Sequence, residues 1–341
     1  MFSLERKSIR LSSLSYGLLA GIALLFPLKL LGAEQSAEQI QPSDRINTID
    51  TPRDYLSEKF VTFASDIDHF FGDDRNFQES NKSVVQLDLT RVTGYGGDNK
   101  FVLSGRAKLR LPATEGRLHL LLESDPEKNI SPEPAKGQAD VNKNVVTPAS
   151  NVVKPESYAA ALRYEKKEES RWYYSTDAGI QFRGITTDPN PFARARVSYS
   201  APLDQWRLKV AETAFWFHTV GAGESTQLDV ERLISEPFLF RATSNATWLY
   251  DKLNFDLRQD LSVYHTLSER TALLYQASAI GVTHPHVQAM DYVVLMVYRY
   301  RLHREWIFFE LSPQLHFPRE RNFQSSPTFN MRLEMLFDGS K

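Results

Sequence analysis

Thr328 to Phe337 reads TFNMRLEMLF. An extended chain points successive side chains to opposite faces. Phe329, Met331, Leu333, Met335 and Phe337 therefore share one face, and Asn330, Arg332 and Glu334 share the other. The stretch is a ribbon with one fully apolar side. A soluble sheet accounts for one such ribbon, so the rest of the chain has to decide the reading.

From about Lys82 onward the period is two. Val85, Leu87 and Leu89 stand opposite Gln86, Asp88 and Thr90. Phe101, Leu103, Ala107, Leu109 and Leu111 oppose Ser104, Arg106, Lys108 and Arg110, and Leu118, Leu120 and Leu122 oppose Arg117, His119 and Glu123. Further ribbons run from Tyr158 to Tyr164, Trp172 to Phe182, Ala193 to Tyr199, Trp206 to Phe217 and Thr226 to Leu233. Others follow at Phe238 to Tyr250, Asn254 to Tyr264, Thr271 to Gly281, Met290 to Arg301 and Trp306 to Phe317, before the closing ribbon. The count is about 14, many of them roughly 9 to 13 residues long, which suits strands that cross a bilayer at a tilt. Turn signals separate them, among them Gly96-Gly97-Asp98-Asn99, Pro202-Leu203-Asp204 and Ser235-Glu236-Pro237, as hairpin connections require. Two places resist the scheme. The alternation slips near Glu212, which suggests a bulge, and Pro313 falls inside a strand where it can donate no ladder hydrogen bond. Either leaves 12 strands as the alternative to 14.

The closing ribbon resembles the last strand of bacterial outer-membrane β-barrels, which alternates and ends on an aromatic. That resemblance implies an all-β fold, an antiparallel up-and-down transmembrane barrel over about Lys82 to Phe337. It also implies that Phe329, Met331, Leu333, Met335 and Phe337 form the closure and assembly signal read by the barrel-assembly machinery. Asp338-Gly339-Ser340-Lys341 trails past the aromatic, where most members stop. The other implied partners are outer-membrane lipid and lipopolysaccharide. In hydrocarbon every backbone polar group must be paired internally, so strands survive there only in a closed barrel. Aromatics at ribbon ends (Tyr158, Trp172, Trp206, Trp248, Tyr250, Tyr298, Tyr300 and Trp306) fit the interfacial girdles of such barrels.

The chain has 341 residues, a net charge of −2 and no cysteine. No global field recruits nucleic acid, and disulfides, thiolate metal sites and lipidation at an N-terminal Cys are excluded. Residues 1–33 read as a signal peptide: Arg6, Lys7 and Arg10 precede the apolar run Tyr16 to Phe26, and Leu31-Gly32-Ala33 supplies the cleavage site. Residues 34–81 form a periplasmic tether plus one amphipathic helix, Asp54 to Phe71, whose stripe is Leu56, Phe60, Phe63, Ile67 and Phe70. Three placements stay open for it: packing on the rim, a plug in the lumen, or a dock for a periplasmic partner or the membrane interface. The barrel takes residues 82–341, with both termini on the periplasmic side and the long segment Pro126 to Glu156 outside.

On this register the lumen is lined by two basic walls, Arg106, Lys108, Arg110 and Arg117 on one, Arg194, Arg196, Arg207 and Lys209 on the other. Acids gather elsewhere, as Asp229 with Glu231, and as Asp256 and Asp260 flanking Arg258. Separated walls of this kind orient polar solutes and select ions by sign. The competing reading is a lumen knit shut by paired charges. Catalytic readings fare worse. Ser262 and His265 lie three apart on a strand and face opposite sides. His284-Pro285-His286 sits in a turn without an acid partner nearby, and Asp66 and Asp68 read as solvated positions on the helix. No phosphate loop, nucleophile elbow or HExxH occurs, so no catalytic residue, metal or cofactor is expected. The leading expectation is a passive channel for small polar or anionic solutes. The alternatives are a charge-sealed docking barrel and, behind it, a lipid- or peptide-modifying enzyme.

Overall fold

Strand begins at Val84, two residues into the segment where the period of two starts, and alternation then governs the rest of the chain. A computed structural model describes residues 60–338 except 61, 73, 80–81, 95–98, 113–116, 128–129, 131–151, 154, 169–170, 185–187, 204, 252 and 304–305. The signal peptide, the tether and the first part of the amphipathic helix lie outside the described residues. So does most of the long segment 126–156.

Three strands open the wall: β1 (Val84–Thr93), β2 (Asn99–Arg110) and β3 (Leu118–Ser124). A two-residue strand, β4 (Val152–Val153), runs parallel to β2 at Phe101 and Val102, beyond the reach of β3. The wall continues through β5 (Ser157–Glu168), β6 (Trp172–Arg183), β7 (Asn190–Leu203), β8 (Trp206–Phe217) and β9 (Gly221–Ser235). It is completed by β10 (Phe238–Leu249), β11 (Asn254–Ser268), β12 (Thr271–Val282), β13 (Gln288–His303), β14 (Ile307–Pro318) and β15 (Ser326–Asp338). Every long strand pairs antiparallel with its neighbours in sequence, and β15 returns to β1 from Val84↔Asp338 to Thr93↔Phe329. The result is a closed antiparallel barrel of 14 strands, with β4 as an addition. Closure leaves no unpaired sheet edge, which is what a strand protein needs in hydrocarbon.

Burial shows the barrel to be inside-out. Leu87, Leu89, Leu103, Leu122, Leu162, Ile180, Leu261 and Val294 are exposed, whereas Lys108, Arg163, Asp229, Glu231, Arg299 and Glu334 are buried. The apolar face of the closing strand is therefore the outer face, and Asn330, Arg332 and Glu334 point inward. Aromatic pairs sit at strand ends on the outside, such as Trp306 stacked on Phe337 at 5.1 Å and Trp172 on Tyr174 at 6.0 Å.

The two irregularities expected from the sequence resolve differently. No bulge occurs at Glu212: β8 keeps one register with β7 and with β9 throughout. The slip has another cause. Phe215 and Phe217 are apolar residues on the inward face, while Glu212 is a polar one on the outward face, where it accepts a 2.6 Å hydrogen bond from Thr226. Register shifts fall instead near strand ends, at Phe238/Leu239, Thr266/Ser268, Ile280/Gly281 and Arg301/His303. Pro313 does lie within β14, opposite Phe329 of β15. The β13–β14 ladder passes from Leu295↔Gln314 to Tyr298↔Leu311 and omits Pro313, as a residue without an N–H dictates. Around that gap the outer wall is hollowed by about 750 Å³, lined by Val294, Met296, Pro313, Leu315 and Phe329 among others. Neither irregularity removes a strand, so the count stays at 14.

Gly179 in β6 marks a close approach. A Cβ there would lie 2.4 Å from the Ala160 carbonyl oxygen and 2.5 Å from the Ala161 Cβ. Gly179→Ala is expected to cost about 1–3 kcal/mol through overpacking, read as a lower urea midpoint of the folded barrel.

Candidate functional site

The lumen is the site, and described residues enter it from both ends. One end carries Val84, Asp338 and the short turns; the other carries the longer connections. From the terminal end enter α1 (residues 62–70) and α2 (Asp74–Glu79). The stripe read from sequence does the docking. Phe60, Ala64 and Ile67 are buried against the inward residues Leu239, Tyr264, Leu274, Val293, Leu295 and Val297. Phe70 meets Phe308 edge-on at 5.7 Å, and Phe71 meets Tyr264 at 5.2 Å. Phe77 of α2 packs with Val84, Phe308 and Leu336. The helix is thus a plug inside the barrel, not a rim element.

Aromatic rings of the plug lie under guanidinium groups of the wall, a favourable cation–π arrangement. Arg106 stands 4.2 Å over Phe77, Arg207 5.6 Å over Phe60, and Arg301 5.3 Å over Phe70. Polar contacts accompany them. Asp68 pairs with Arg241, so it is not the solvated position expected, although Asp66 is exposed. Glu79 accepts from Lys209 at 2.5 Å and from Ser198 at 3.1 Å, and the Tyr173 hydroxyl donates to the Gln78 carbonyl.

At the loop end a second apolar cluster lies in the bore. Leu121, Ala159, Ala161, Phe192, Phe215 and Phe217 face inward and pack with Ile130, Val220 and Leu249. Ile130 arrives from the turn after β3, which is tied down at Glu127 by the Arg183 guanidinium at 2.7 Å and by the Thr219 hydroxyl.

Between the plug and this cluster the wall is charged, and most of its charges pair with one another. Arg163 holds Asp177 through two bonds of 2.6 and 2.8 Å, and Arg194 bridges Asp177 at 2.9 Å to Glu123 at 2.8 Å. Lys108 reaches Glu165 at 3.1 Å. Arg207 and Arg241 share Glu231. Arg299 and Arg332 together hold Glu310 and Glu334. Such groups pay for desolvation only when each is paired with good geometry, and these pairs lie within the wall, strand to strand.

Most of the candidate lining residues face the lumen. Arg106, Lys108, Arg194, Lys209, Asp229, Glu231 and Asp260 are buried there, with Arg196, Arg207 and Arg258 partly so. Arg110 and Arg117 do not join them: both are exposed at the terminal-end turn between β2 and β3. Asp256 is exposed near the loop end, where Asn254 donates to it at 3.1 Å. The walls are not separated by sign either, because Arg207 pairs with Glu231 on the adjacent strand and Arg258 with Asp260 on its own. The sequence list missed Arg163, Asp177, Glu165, Arg241, Arg299 and Glu310. Each lies on the inward parity of its ribbon, so counting every polar residue of that parity would have found them. Ser262 is buried beside Gln276, while His265 stacks outward on Phe238 at 4.1 Å. His284 and His286 are exposed in their turn. Among the described residues no group of three His, Asp or Glu is placed to hold a metal ion.

An inside-out closed barrel with a charged interior is the architecture of outer-membrane β-barrels. No protein-family model and no curated protein matches the chain. Among solved structures, Pseudomonas putida OprB aligns at 10% identity over 78% of this chain and 97% of that one, with a TM-score of 0.45. A loop-deletion mutant of the outer-membrane protein OmpT of Vibrio cholerae aligns at 10% identity over 75% and 98%, TM-score 0.42. The outer-membrane channel DcaP of Acinetobacter baumannii aligns at 8% identity over 75% and 96%, TM-score 0.41.

Proposed function

We propose that this protein is an outer-membrane channel for small polar or anionic solutes that rests closed, its lumen occupied by residues 60–79. The observation that carries the reading is where the charge pairs lie. Most wall charges pair with one another, with Lys209 and Arg241 also held by Glu79 and Asp68 of the plug, so withdrawing the plug uncovers a polar, largely paired surface. What the plug supplies is mostly apolar: Phe60, Ile67, Phe70 and Phe77. Its release would uncover the inward apolar residues Leu239, Leu274, Val293, Leu295 and Val297 together with the charged wall. The terminal end, where the plug enters, is read as periplasmic, and the outer-facing residues of β15 as the assembly signal.

Single-channel recording of the purified, folded protein in a planar bilayer tests the reading. Brief, rare, ion-selective openings are the expected result, and Arg194→Glu with Arg196→Glu is expected to reduce anion preference. A barrel that stays silent after the plug is dislodged would instead support the sealed, structural reading. The filled lumen is the observation that favours that second reading.

A further inference from the structure

We infer that the lumen holds a site for one small monatomic anion, of the halide class, where the plug and the outer turn meet. A cavity of about 20 Å³ remains between the plug and the loop-end cluster, with Gln78 of α2 and Ile130 of the turn among its lining residues. Arg163, Arg194 and Arg196 line it as well, with Asp177. That volume holds one particle of about the size of a water molecule and nothing as large as phosphate.

Among the described residues Arg163 pairs with Asp177 and Glu165, Arg194 pairs with Asp177 and Glu123, and Arg196 makes no ion pair. Both oxygens of Asp177 are already taken, Oδ1 by Arg163 and Oδ2 by Arg163 and Arg194. Arg163 is 2% exposed, yet its Nη1 makes no hydrogen bond and lies 4.0 Å from Glu165 Oε1. The Arg196 Nε is also buried without a hydrogen-bond partner among the described residues. Two donors without hydrogen-bond partners among the described residues, on two cations that line this space, suit an occupant that accepts and is negative. Water would accept the hydrogen bonds but leave the charge uncompensated, which is costly at low dielectric. A halide answers both demands. The site stands apart from conduction, because its occupancy can be read directly.

Bromide is the probe. Crystals of the full-length protein soaked in sodium bromide should show an anomalous peak in the cavity between Arg163 and Arg196. Arg196→Gln should lose the peak, whereas Arg110→Gln, on the exposed turn, should keep it. In parallel, the melting temperature in chloride should exceed that in the bulkier gluconate, at matched ionic strength, by about 3 °C, and the difference should vanish in Arg196→Gln. An empty cavity in the bromide-soaked native protein, or peaks only at the surface, would overturn the inference. That result would leave the channel reading intact, just as a silent but bromide-loaded barrel would leave the anion site intact.

Discussion

Ile67→Asp combined with Phe77→Asp is expected to convert a mostly silent barrel into one that conducts steadily. Both side chains are buried, Ile67 against Leu239, Tyr264 and Val297, and Phe77 against Val84, Phe308 and Leu336. A carboxylate at Ile67 falls within the apolar cluster, and burying it there costs several kcal/mol. At Phe77 it loses the packing with Phe308 and Leu336, although Arg106 and Lys108 stand beside it. Even about 3 kcal/mol shifts the ratio of docked to released plug by roughly 150-fold. The wall should survive, because Arg163 with Asp177 and Arg299 with Glu334 do not depend on the plug. Heat-modifiable gel mobility would confirm the fold, and planar-bilayer current would give the answer. Silence from the folded double variant would sink the plugged-channel reading.

The second large effect concerns the wall. Arg299 is fully buried and binds Glu310 and Glu334, which Arg332 also holds. Arg299→Met removes one of two cations shared by two buried carboxylates. Breaking such a network from one side costs about 3–5 kcal/mol, which lowers the melting temperature by roughly 10 °C for a barrel of this size. Adding Glu334→Gln alone to Arg299→Met should recover part of that loss, since the one remaining carboxylate, Glu310, then pairs with Arg332. Thermal unfolding in detergent measures both. A single variant as stable as the native protein would show that the cluster does not hold these strands together.

The wall was legible in the ribbons because the evidence for a strand is local. Leu87 and Leu89 share a face through chain geometry alone, and so do Arg332 and Glu334. The site was half legible. Parity alone placed Arg106, Lys108, Arg194 and Glu231 in the lumen, but at ribbon ends it failed: Arg110 and Arg117 share that parity and still face solvent at a turn. Glu212 misled for the opposite reason. A polar residue outside and two phenylalanines inside looked like a slip, when the lumen itself carries an apolar cluster at that height.

By itself, then, the sequence determined the period, the closing strand and the address that these features imply, all consequences of spacing between near neighbours. It left the strand count at 14 or 12 until the ladders past Pro313 and Glu212 settled it. It also determined the stripe Phe60, Phe63, Ile67 and Phe70, and hence a helix with something to bury. Only the tertiary structure decided what that stripe buries. The partners of Phe70 and Phe71 are Phe308 and Tyr264, on strands far along the chain, and the barrel must close before those residues stand together. The same holds for charge. Arg194 bridges Asp177 on the next strand to Glu123 on a strand much earlier in the chain. Pairing between strands depends on distance in space, which alternation along one strand does not encode.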